Sequence, residues 1–127
     1  MQGKYLFEYA VIRVVPRVER EEFINVGVVL YCKDLKFLQM KYSLNKKRID
    51  ALCGSLDCRE VEDHLESFER ICKGDAAGGP IASLDLPSRF RWLTATRSTV
   101  VQTSKVHPGF CEDAAEMLEK LFAGMVG

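Results

Sequence analysis

The stretch Lys4-Tyr-Leu-Phe-Glu-Tyr-Ala-Val-Ile-Arg-Val-Val15 decides the fold. Aromatic and β-branched side chains dominate it. Tyr5, Phe7, Tyr9, Val11 and Val15 fall on one face, and Leu6, Ala10, Ile12 and Val14 on the other. A strand that is apolar on both faces must be covered on both sides, which puts it in the middle of a sheet. Pro16 stops it, since proline cannot donate to a ladder.

Outward from this strand, residues 17–22 form a charged connector, and residues 23–32 read as a second strand. Asn25 and Gly27 interrupt one of its faces. A glycine there marks a bulge or a close approach by another group. Lys33-Asp34 make a turn into a third strand, 36–42, with Gln39 and Lys41 facing out. The strands 4–15, 23–32 and 36–42 form an antiparallel meander. Asn45 suits the N-cap of a short helix over 46–53. Asp57, with Glu60 three residues on, starts a second helix whose stripe is Val61, Leu65, Phe68 and Cys72. Residues 74–80, rich in glycine, are too few to separate two domains. Pro87 opens a short helix over 87–94, although Arg89-Phe-Arg-Trp-Leu93 also alternates like a strand. Residues 98–103 form a fourth strand, and Pro108-Gly109 turn into a last helix striped by Ala114, Met117, Leu118, Leu121 and Met125. The expected architecture is α+β: an antiparallel sheet of about four strands, with about four helices mainly on one face, in a single domain 1–127.

A chain of 127 residues can bury a core without covalent staples. Its 18 basic residues balance 18 acidic ones, which argues against generic binding to nucleic acid or to a membrane surface. No apolar run approaches the ~20 residues of a membrane span. The five cysteines, Cys32, Cys53, Cys58, Cys72 and Cys111, are odd in number and irregularly spaced, and no secretory signal precedes them. These features favour free thiols in a reducing, cytoplasmic setting over disulfides or a metal site.

Chemistry concentrates in residues 89–107. Arg91 and Arg97, with Ser98 and neighbouring threonines, offer planar donor forks and hydroxyls suited to phosphate or carboxylate. Gln102 and His107 extend the same segment, and Arg89 is assigned to the solvated side of its helix. A second group is Arg13, Arg17 and Asn25. Arg13 interrupts an apolar face and needs a partner, for which Glu8, Glu19 or Glu21 are the candidates. His107 lies four residues before Cys111, but no third group orients such a pair. Phosphate-loop, dinucleotide, metalloprotease and hydrolase motifs are absent, so no catalytic residue, cofactor or metal ligand is assigned.

Two segments, Tyr9-Ala-Val-Ile-Arg-Val-Val-Pro-Arg-Val-Glu-Arg-Glu-Glu-Phe-Ile-Asn-Val-Gly-Val28 and Phe90-Arg-Trp-Leu-Thr-Ala-Thr-Arg-Ser-Thr-Val-Val-Gln-Thr-Ser-Lys-Val-His-Pro-Gly-Phe-Cys111, resemble the two signatures of a family of small bacterial proteins catalogued as a domain of unknown function. The resemblance implies no activity. It implies a protein partner, because members are often encoded beside a kinase-fold protein similar to the persistence-toxin kinases. The family pattern has proline where this chain carries Thr96 and Lys105. The expected function is a non-catalytic binding or accessory module acting with a protein partner. The alternative is a small enzyme or nucleic-acid-processing factor that holds a phosphorylated substrate through the arginines. A third possibility is self-association into a homo-oligomer.

Overall fold

The computed structural model describes residues 3–15, 23–45, 47, 58–96 and 99–126. The chain runs β1 (Tyr5–Val14), β2 (Ile24–Cys32), β3 (Phe37–Tyr42), α1 (Cys58–Lys73), two short 3-10 turns (Ala76–Gly78 and Pro80–Ser83), α2 (Leu86–Leu93), β4 (Val101–Thr103), β5 (His107–Cys111) and α3 (Ala114–Met125). The meander and the α+β class stand as the pattern requires. The helix expected over 46–53 lies outside the described residues, Lys47 aside.

β1 is the central strand: β2 runs antiparallel along one side, and both β4 and β5 run antiparallel along the other. Its two apolar faces feed two separate cores. Ala10, Ile12 and Val14 join Val29 and Tyr31 of β2 beneath α1 and α2. Phe7 joins Val28, Leu30 and Cys32 of β2, Cys111 of β5, and Ala114 and Leu118 of α3. The helices are therefore not gathered mainly on one face: α1 and α2 cover the first face and α3 the second. A strand apolar on both sides demands this, because uncovered apolar area on either face would cost about 25 cal/mol per Å².

The fifth strand departs from the sequence expectation of four. His107, Pro108 and Gly109 are not a turn. They pair with Tyr9, Glu8 and Phe7 of β1, and Phe110 and Cys111 continue along Leu6 and Tyr5. β4 and β5 together amount to one strand broken by a bulge. From Ile12↔Thr103 to Tyr9↔His107 the chain advances three residues on β1 and four on the other side. At the break, Ser104 N–H donates to the Val11 carbonyl at 2.8 Å, and the Val11 N–H donates to Ser104 Oγ at 2.9 Å. The hydroxyl replaces a ladder carbonyl, which is how the buried Val11 amide stays satisfied.

A second bulge lies in β2, where the register shifts between Ile12↔Gly27 and Arg13↔Asn25. Val26 is the extra residue, and it is buried in the first core. Gly27 fulfils the close-approach expectation, since a Cβ there would stand 2.6 Å from the Lys41 carbonyl oxygen.

α1 buries the expected stripe of Val61, Leu65, Phe68 and Cys72. Its C-terminal end is closed by Gly74 at φ 71 and by Arg89 of α2, whose Nη1 donates to the carbonyls of Ile71 and Cys72 at 3.2 and 3.0 Å. Arg89 is thus half-buried and structural, not on a solvated helix face. A cation at a helix C-terminus satisfies orphan carbonyls and meets the negative end of the dipole. Residues 86–93 are a helix and not a strand. Asp85 caps it by accepting from Ser88 N–H, and the Ser88 hydroxyl, together with that amide, holds the Asp85 carboxyl below its ordinary range.

Candidate functional site

The sheet divides the candidates. Arg13 belongs to the β1 face that carries Phe7, Tyr9 and Val11, and the pairing fixes its neighbours: Asn25 of β2 on one side and Gln102 of β4 on the other. Residues from both sequence groups therefore form one polar row, Asn25–Arg13–Gln102, on the side of the sheet that carries α3. His107 projects from the same face opposite Tyr9, with ring centroids 5.4 Å apart. Arg91 does not join them. It stands on α2, across the sheet, in a recess of about 320 Å³ shared with Leu6, Glu8, Tyr31, Lys33 and Pro87. Arg97, Ser98 and Arg17 lie outside the described residues.

The row has an unusual hydrogen-bond balance. Asn25 Nδ2 donates to the Met125 carbonyl at the end of α3, at 3.2 Å. Its Oδ1 is buried without a partner, and so is Arg13 Nε. A buried polar atom left unmatched costs about 1–3 kcal/mol. Here an orphan donor and an orphan acceptor sit on directly opposed residues. Arg13 finds an aromatic neighbour instead of the Glu8 carboxylate: its guanidinium lies 4.1 Å from the centroid of the Phe23 ring. Glu8 is of the opposite parity on β1 and faces the Arg91 recess. Phe23 is itself 47% exposed, so the row ends in an apolar ring open to solvent. Gln102 is tied down by donating from Nε2 to the Thr99 carbonyl at 2.9 Å.

Sequence reasoning missed Phe23 and Tyr9 as members of this surface, because an aromatic residue in a strand reads as core. Their signal was positional: Phe23 closes the charged run 17–22, and Tyr9 shares its face with Arg13. The recess around Arg91 has a different character. Glu8 and Lys33 place both signs of charge within it. Burial and the Glu8 carboxylate push the Tyr31 hydroxyl above its ordinary value, with Arg91 opposing them. A carboxylate in the same recess weakens the pull of Arg91 on an anion.

A third concavity, about 470 Å³, runs beside β3 and is bounded by the ends of α1 and α2. Cys72 lines it, but burial pushes that thiol up to about 12, which leaves it protonated and unreactive at neutral pH. Among the described residues, no group of three or more His, Cys, Asp or Glu is arranged to hold a metal ion, and no helix is long and apolar enough to cross a membrane.

No curated protein and no solved structure matches the chain. The model of a family described as "Protein of unknown function (DUF3037)" matches residues 9–126, nearly the whole chain, and the protein belongs to that family.

Proposed function

We propose that the protein is a non-catalytic binding module that engages a protein partner through the α3-side face of its sheet, at Phe23, Arg13, Asn25, Gln102 and His107. One observation carries this: the unmatched Arg13 Nε and Asn25 Oδ1, side by side beneath an exposed Phe23 ring. A partner that swings the ring aside and offers both an acceptor and a donor, as any peptide group does, satisfies both atoms at once. Arginine and aromatic side chains are also what the centres of protein interfaces favour. The phosphate-binding alternative is less well supported. Arg91, its described member, is separated by the sheet from Gln102 and His107 and shares its recess with Glu8.

The test is retention of a purified partner by immobilised chain, first of all the kinase-fold protein that the family resemblance suggests. Exposed His107 and half-exposed Gln102 are replaced together by alanine. Retention should fall about tenfold or more, the loss of one or two interface contacts. The melting temperature should move by no more than about 3 °C, as for surface changes. Undiminished retention by the double variant refutes this surface. Saturable binding of inorganic phosphate that Arg91→Ala abolishes would favour the phosphate alternative.

A further inference from the structure

The outer edge of the sheet holds a second site. β3 ends the strand order β3-β2-β1-β4, and among the described residues no strand pairs with its far side. The pairing fixes which of its backbone groups are left over. Ser43 N–H donates to the Val26 carbonyl at 2.8 Å, and the Cα partners step regularly from Gly27↔Tyr42 to Cys32↔Phe37. In an antiparallel ladder alternate residues face the partner strand, so Lys41 and Gln39 bond to β2. Leu38 and Met40 therefore direct their N–H and C=O groups away from β2.

The groove beside β3 is bordered by five consecutive residues, Lys36 to Met40. Both side-chain parities are present, so the groove follows the edge of the strand and does not lie over one face. Its volume of about 470 Å³ has room for several side chains. Leu38, Met40 and Leu86 supply an apolar floor. The charged residues are Lys36, Lys73 and Arg89 against the single carboxylate of Glu69. Glu69 is already spent on Lys73, at 3.7 Å. Arg89 has a buried Nε with no hydrogen-bond partner, although its Nη1 is engaged by α1. Positive charge is left over on the wall facing the free edge.

We infer that β3 and this groove take up an extended, acidic peptide segment as an added antiparallel or parallel strand. Leu38 and Met40 supply the main-chain hydrogen bonds, and Lys36 and Arg89 receive a carboxylate side chain that points into the groove. Strand addition of this kind draws affinity from the main chain and selectivity from the pockets for alternate side chains. The helical wall of the groove comes from α1 and α2 and none of it from α3. Its lining shares no residue with the α3-side surface proposed above, so each proposal is tested by its own measurement and either can fail alone.

The test uses the intact chain and a synthetic octapeptide of alternating valine and glutamate, with amide exchange followed by NMR. On adding the peptide, the Leu38 and Met40 amides should exchange about tenfold more slowly or better, as amides do on gaining a ladder. A peptide of alternating valine and lysine should not protect them. Nor should the acidic peptide after N-methylation of alternate amides, which keeps its charge but removes its donors. Lys36→Glu, on the exposed turn, should weaken the acidic peptide and spare the fold. Binding that survives N-methylation overturns strand addition. Equal protection by the lysine peptide overturns the acidic preference. Leu38 and Met40 amides already protected in the free chain, whether at all concentrations or only at high ones, show an edge occupied by the chain itself or by a second copy, and overturn the site.

Discussion

Ser104 shows how a single side chain can hold a topology. It is the one polar residue buried among the described residues, and its hydroxyl both accepts from Val11 N–H and donates to the Lys105 carbonyl at 2.9 Å. Without the hydroxyl, the Val11 amide is stranded at the junction of β4 and β5. Ser104→Ala should therefore cost about 1–3 kcal/mol, the penalty for an unmatched buried donor. Urea unfolding measures it, and a change within about 0.5 kcal/mol, the surface norm, would mean that water replaces the hydroxyl. Nothing in the sequence singles out Ser104, because its value depends on a residue 93 positions away. Arg13 and Asn25 were more legible. A charge on an apolar face and an amide inside a strand each break a pattern, and both proved to lie at the bulge of β2. What the pattern did not reveal was that Arg91 and Gln102 stand on opposite sides of the sheet. Parity is readable along one strand, but it does not carry through a helix and a loop.

At the scale of elements, β5 is where sequence and structure part. Pro108-Gly109 reads as a turn, yet the structure uses both residues in a strand for reasons specific to that place. The ladder alternation sends the backbone groups of Glu8 toward β2, so its partner Pro108 has no N–H to supply to β1. Gly109 lies opposite Phe7, whose ring crosses its Cα; a Cβ there would stand 2.6 Å from Phe7 Cζ. The glycine is kept for space, not for turning. Gly109→Ala should thus destabilise the protein by about 1–3 kcal/mol through overpacking, despite the better intrinsic strand propensity of alanine. Thermal unfolding checks the sign: a stabilised variant would mean that Phe7 swings clear at no cost. By contrast, α1 and α3 were legible because their apolar stripes are local signals, whereas the alternation of Arg89-Phe-Arg-Trp-Leu93 left α2 open between helix and strand. The structure adds the caps: Asp85 and Asp113 each accept from the amide three residues on, and a side-chain oxygen at the N-cap satisfies an otherwise orphan donor.

For the molecule as a whole, the question is whether the two cores are separate units of stability. They share no side chains, yet they share a backbone. Alternate residues of β2 serve opposite layers, Val28 and Leu30 under α3, Val29 and Tyr31 under α1 and α2. Loosening α3 exposes one face of a strand whose other face is the floor of the first core. The layers should therefore unfold together. Trp92 reports on the first layer alone, packed edge-on against Phe68 with centroids 6.0 Å apart. Leu118 belongs to the second layer, where α3 buries it against the sheet. Leu118→Ala removes methyl groups from that layer and should cost about 2–5 kcal/mol. If the layers are coupled through β1 and β2, the Trp92 fluorescence transition in urea moves to lower denaturant by the full amount, and the far-UV circular dichroism transition moves with it. If α3 is an independent unit, the dichroism acquires an early step equal to one helix while the Trp92 midpoint stays in place. Coupling matters for both proposed surfaces. The Asn25–Arg13–Gln102 row hangs on the end of α3 through the Met125 carbonyl, and Lys41 of β3 is tied to α3 by its ion pair with Glu119. A partner that pulls α3 away from the first surface would then also disturb the strand that borders the second.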